Sequence, residues 1–134
     1  METSEIIAGG TIPVILEERL YETLTPSEGA PKQKIWRRQL YTKAPNKNGE
    51  TPEEVQQRMI QFWDTANFHP EKNYVICSHG DPLFFLFQYL DHQTIHTDLN
   101  INKPFGYQSK GSVRLIEKNE DDLVDCEYWE NEDL

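Results

Sequence analysis

The sequence predicts an α/β domain: a three-layer sandwich with a mostly parallel sheet and an antiparallel hairpin near its C-terminal end. Three observations carry that expectation. Helix-period segments and short apolar runs alternate along the chain. The run Asn73-Tyr74-Val75-Ile76-Cys77-Ser78 is continuous, as in a strand buried on both faces of a parallel sheet. It passes directly into Asp81-Pro82, residues that open a helix. At 134 residues the chain fits one domain, residues 1–134.

In order along the chain, Thr3 to Ala8 reads as the end of a helix stopped by Gly9-Gly10. Pro13-Val14-Ile15-Leu16 is a short strand candidate leading into the charged Glu17-Glu18-Arg19. The stretch from Thr23 to Pro31 has loop chemistry, with Thr25-Pro26-Ser27-Glu28-Gly29 at its centre. Lys32 to Tyr41 is a helix candidate with Ile35, Trp36 and Leu40 on one side, and Lys43 to Gly49 is a further loop. The clearest element starts at Thr51. Thr51 can N-cap a helix, Pro52 suits its first position, and Glu54 completes a Thr-x-x-Glu capping box. Val55, Met59, Phe62, Trp63 and Ala66 then fall on one helical face, a core stripe ended by His69-Pro70. After the Asn73–Ser78 run, Asp81 is the expected N-cap of a helix with Pro82 at its first position, apolar nearly all round from Leu83 to Leu90. Gly111–Lys118 and Asp122–Trp129 read as the two strands of a hairpin around Asn119-Glu120-Asp121.

Composition narrows the function classes. With 37% hydrophobic and 27% charged residues the chain has the makings of a folded core. Thirteen basic residues against 23 acidic ones give a net charge of −10, which argues against nucleic acid or an anionic membrane as partner. A small anionic substrate is still possible, because a pocket can be locally positive. The acidic residues crowded after Glu117 read as a solvated edge and tail. Cys77 and Cys126 form no Cys-x-x-Cys pair, the N-terminal residues lack the pattern of a signal peptide, and the longest apolar stretch, Leu83–Phe87, is too short to span a bilayer. A cytoplasmic location is expected.

The informative constellation is an apolar run, then Ser78-His79-Gly80-Asp81-Pro82, then a helix. In an open α/β sheet, ligands bind beyond the carboxyl ends of the strands. A helix N-terminus there offers backbone N–H groups and the positive end of a dipole, suited to phosphate. His79 could donate to phosphate oxygens or attack phosphorus, and Gly80 would let an anion approach the backbone. The residues alone leave a second reading open: a histidine that merely hydrogen-bonds within a tight turn. Other candidates are weaker. A tyrosine-phosphatase Cys-x5-Arg loop at Cys77 would need arginine where Leu83 or Phe84 stands. His92 and His96 have one-turn spacing, yet no third ligand is set by the sequence, and they read as surface residues, like the loop residue His69.

The order Gly49-Glu50-Thr51, then Glu54 and Arg58, then Val75-Ile76-Cys77-Ser78-His79-Gly80 resembles the second half of the histidine phosphatase superfamily, which includes phosphoglycerate-mutase-like and phosphohistidine-phosphatase-like proteins. Glu2-Thr3-Ser4-Glu5-Ile6-Ile7 and Glu18-Arg19-Leu20-Tyr21-Glu22 resemble segments of the same family. The resemblance implies phosphoryl transfer through a phosphohistidine, with no cofactor and no metal. His79 would be the second active-site histidine and Glu22 the general acid, with Ser78 and Gly80 binding substrate. It implies a small phosphorylated metabolite or a phosphoprotein as partner.

The departures carry equal weight. The family's nucleophile lies in an Arg-His-Gly motif ending the first, central strand, and no Arg-His-Gly occurs here. After Glu22 the chain reads Thr23-Leu24-Thr25-Pro26, closer to the small phosphohistidine phosphatases. The expectation is therefore the C-terminal majority of the family domain, lacking that strand and inactive alone. Either it is a truncated version of an active enzyme, or it is a catalytically inactive phosphate-binding or protein-interaction module. A sheet without its central strand would have open edges, so a homodimer is a further expectation.

Overall fold

A computed structural model describes residues 2–24, 49–92, 95, 107–119 and 123–130, with the backbone alone for 123–126. Three helices, one 3-10 turn and one hairpin are defined. Helix α1 spans Glu2–Ala8, with Glu2 and Glu5 in its first turn, where the helix dipole favours acidic side chains. It stops where expected. Gly9 and Gly10 take φ of 56° and 74°, a left-handed conformation that glycine adopts at no steric cost. Only Ala8 of this helix is buried.

Helix α2, Pro52–Thr65, starts as its sequence dictates. The Glu54 amide donates to Thr51 Oγ1 at 3.2 Å and the Thr51 amide to Glu54 Oε2 at 2.8 Å, a complete capping box. Val55, Met59 and Phe62 are buried along one face, while Trp63 and Ala66 are only partly covered. Helix α3, Gly80–Leu90, buries Pro82 and every residue from Phe84 to Gln88. Val55 of α2 packs with Phe84 and Phe85 of α3, and Ile95 and Tyr107 lie against that cluster. Gln56 Nε2 donates to the Phe85 carbonyl at 2.8 Å and locks the two helices in register. Residues Val113–Lys118 (β1) and Leu123–Trp129 (β2) form the expected antiparallel hairpin, with a bulge between Leu115 and Ile116. Cation–π contacts hold it to the helices. Lys118 Nζ lies 5.2 Å from the Trp63 ring and Arg114 Cζ lies 5.6 Å from the Phe87 ring.

Three expectations need correction. Helix α3 begins at Gly80, not at Pro82, and its N-cap is His79, not Asp81. Proline is tolerated throughout a first turn, where amides lack intrahelical partners in any case. Asp81 accepts a hydrogen bond from Tyr107 instead. The segments Pro13–Leu16 and Asn73–Ser78 are not strands, and the second is not buried as expected; Ile15 is 87% exposed and Val75 70% exposed. An extended run becomes a strand only where another segment meets its backbone groups, and none of the described residues does so. Among the described residues the sheet is the two-stranded hairpin, without parallel pairing. The helix expected at Lys32–Tyr41, most of the loops on either side of it, and His96 lie outside the described residues. No helix among the described residues is long and apolar enough to cross a membrane.

Candidate functional site

His79 takes extended backbone angles, φ −118° and ψ 166°, at the head of α3, and its side chain makes no capping hydrogen bond. The imidazole is therefore left to other partners. Its Nδ1 lies 3.2 Å from Glu22 Oε2, and both side chains are about half exposed, at 50% and 58%. Two residues far apart in the sequence are thus in hydrogen-bond range at the N-terminus of a helix.

The contact exists because the segment carrying Glu22 is fastened from three sides. Arg58, on α2, donates from Nη2 to the Tyr21 carbonyl at 3.0 Å and from Nη1 to the Arg19 carbonyl. Its Nε donates to Glu50 Oε1 at 2.7 Å. Glu50 in turn accepts from the Leu24 amide at 3.1 Å, beyond the far side of Glu22. Ser78 Oγ donates to the Leu20 carbonyl at 2.8 Å, tying this segment to the residue before His79. Further back, Glu17 caps the 3-10 turn Glu18–Leu20 and pairs with Arg19, whose Nη1 reaches Thr65 Oγ1 at 2.7 Å. The Glu17 carboxyl is pulled down to about 2 by the hydrogen bonds from Arg19. At Glu50, burial alone would raise the carboxyl; the Arg58 guanidinium and the Leu24 amide outweigh it and hold the group below the ordinary carboxylate range.

Chemically, the pair is an imidazole whose Nδ1 meets a carboxylate, with Nε2 as the ring nitrogen that a ligand could use. Glu22 Oε1 also accepts from the Thr23 amide at 2.9 Å, which fixes the carboxylate plane. Beside the pair, the first turn of α3 supplies the positive end of a helix dipole. Such a surface can receive an anion, and a histidine and a glutamate there can exchange protons with it.

Of the residues singled out from sequence, His79 and Glu22 meet directly and Gly80 opens α3 next to them. Ser78 is committed to the Leu20 carbonyl, so its hydroxyl holds the loop. His69 and His92 are exposed and stand outside this group, and Cys77 is a half-buried free thiol. Among the described residues no cluster of three or more His, Cys, Asp or Glu side chains could hold a metal ion. Sequence reasoning missed the clamp formed by Arg58 and Glu50, although both residues belong to the ordered motif; only their spacing of eight hinted at contact. It missed Tyr107 altogether. The Tyr107 hydroxyl donates to Asp81 Oδ1 at 2.9 Å and lies over Gly80, and no local pattern marks it.

Comparison with known proteins gives one result. A family model described as histidine phosphatase superfamily (branch 1) matches residues 1–123. No curated protein and no solved structure matches the chain.

Proposed function

Because the chain belongs to the histidine phosphatase superfamily, an α/β family, we propose that its site is built for phosphoryl transfer through a phosphohistidine, with His79 and Glu22 as its working pair. The observation that carries this reading is the 3.2 Å contact between His79 and Glu22 at the head of α3. In the complete reaction a histidine attacks phosphorus in line. His79 donates to the equatorial oxygens as charge builds on them, and the first-turn amides around Gly80 share that charge. Glu22, within reach of the same spot, protonates the leaving oxygen. The substrate class is a small phosphorylated metabolite or a phosphoprotein, handled without cofactor or metal. The fold in which this works is the family's three-layer sandwich, of which the described residues supply three helices and the hairpin.

The 134 residues contain no Arg-His-Gly, so the nucleophile of this scheme has no counterpart in them. We therefore expect the chain by itself to turn over an aryl phosphate negligibly, while His79→Ala and Glu22→Gln weaken its binding of orthovanadate. Robust turnover abolished by His79→Ala would make His79 itself the nucleophile and overturn the assignment of roles. A second reading, a catalytically inactive phosphate-binding or protein-interaction module, draws support from the commitment of both nearby arginines. Arg58 is held by Glu50 and two carbonyls, and Arg19 by Glu17 and Thr65. Vanadate binding without turnover, even when an Arg-His-Gly-bearing segment is joined ahead of Met1, would favour it. A cytoplasmic setting suits either reading.

A further inference from the structure

The first turn of α3 is covered by one side chain from a distant part of the chain. Tyr107 donates its hydroxyl to Asp81 Oδ1 at 2.9 Å, and its ring packs 5.7 Å from the Phe84 ring, centroid to centroid. Between those two anchors it crosses Gly80. A methyl group built on Gly80 would land on the Tyr107 hydroxyl and Cζ, so the phenol occupies the space every other residue type needs there. Gly80 is not in a left-handed conformation; it is glycine because of what lies above it. The ring cannot swing aside cheaply, since its hydroxyl is bonded to Asp81 and its edge is part of the core around Phe84 and Phe85.

From this geometry we infer that Tyr107 is a positioning residue for His79: it clamps the turn His79-Gly80-Asp81 and thereby holds the imidazole at Glu22. The peptide that leaves His79 is the one that enters Gly80. With Gly80 pressed under the phenol and Asp81 tied to its hydroxyl, the backbone angles of His79 are confined from the helix side. The Ser78 hydroxyl, bonded to the Leu20 carbonyl, confines them from the other. His79 makes no side-chain capping bond, so its imidazole is not fixed by its own helix. The assignment rests on His79 and Glu22 being the working pair of the site, and it adds a third residue to that pair.

The test uses the full chain and two readouts, the His79 ring resonances by NMR and the affinity for orthovanadate. Glu22→Gln provides the signature of a broken His79 contact. Tyr107→Phe keeps the ring and removes only the hydroxyl. We expect it to move the His79 ring signals towards the Glu22→Gln positions and to weaken vanadate binding about fivefold, the worth of one net hydrogen bond, alongside the modest fall in thermal midpoint that loss of the bond entails. Tyr107→Ala weakens binding further, and Gly80→Ala, which displaces the ring, does the same; Gly80→Ala costs less when Tyr107 is already alanine. If Tyr107→Phe lowers only the thermal midpoint and leaves the His79 signals and vanadate affinity in place, Tyr107 is structural and the inference is overturned. Should His79→Ala leave vanadate binding intact, the phosphoryl-transfer reading falls. The ring resonances then decide the Tyr107 assignment on their own.

Discussion

Glu50 turns a carboxylate into a fastening. Burial disfavours its charge, yet Arg58 and the Leu24 amide hold it ionised below its ordinary range, and that surplus is stability. The sign follows from the depressed value: the contribution is complete above the unfolded carboxylate range, near 4.5, and is lost as pH falls through the folded value. Glu17, lowered to about 2 by Arg19, acts in the same direction. Unfolding free energy is therefore expected to decline as pH drops from about 4.5 towards 2. Glu50→Gln should be less stable than the parent at neutral pH and should show a shallower acid slope. Denaturant titrations at a series of pH values would check this; parallel slopes for the two proteins would remove Glu50 from the account. Because the Arg58 clamp also sets Glu22, acidification in this window should loosen the His79 contact before the helices melt.

At the scale of elements, what was legible in the sequence was what depends on neighbours in the chain. Thr51, Pro52 and Glu54 announce the start of α2 because a capping box closes within one turn, and all of it is present. Gly9-Gly10 and the hairpin are local in the same sense. We expect Thr51→Ala to cost about 1 kcal/mol, read from denaturant unfolding, with Glu54→Ala costing less in the Thr51→Ala background than in the parent. Independent effects would mean the box does not act as a unit. The two apolar runs, Pro13–Leu16 and Asn73–Ser78, carried strand composition but not strand structure, because pairing needs a partner that composition does not supply. The site divides the same way. His79 and Gly80 stood out by their place before a helix, and Glu22 through family resemblance. Tyr107 became visible only with the chain traced in space, since its role lies in filling the room above a glycine.

For the molecule as a whole, those unpaired runs leave a large demand unmet. Ile12, Val14, Ile15 and Leu16 are exposed, as are Tyr74 and Val75, and among the described residues the backbone groups of Pro13–Leu16 and Asn73–Ser78 take no backbone partner. Extended, apolar and unpaired chain is what another chain adds to. We expect solutions of this protein to contain self-associated species by light scattering, or a monomer that binds an apolar dye. A clean monomer with a cooperative thermal transition and no dye binding would mean that these segments are satisfied within one molecule. The net charge of −10 sets the two modes of association apart. Mutual repulsion opposes unspecific coalescence, so whatever association survives at low salt is carried by short-range pairing.

The attachment of the hairpin gives the molecule an optical handle. Trp63 on α2 stands at the junction, its indole 5.5 Å from the Phe68 ring and beneath the Lys118 ammonium. A fixed positive charge beside an indole shifts the emission of that fluorophore, and withdrawal of the charge reverses the shift. With Trp36 and Trp129 replaced by phenylalanine, the colour of Trp63 records whether β1 is docked. Lys118→Met, which keeps the stem and drops the charge, supplies the spectrum of Trp63 without the ammonium, the end point towards which the emission moves as the hairpin detaches.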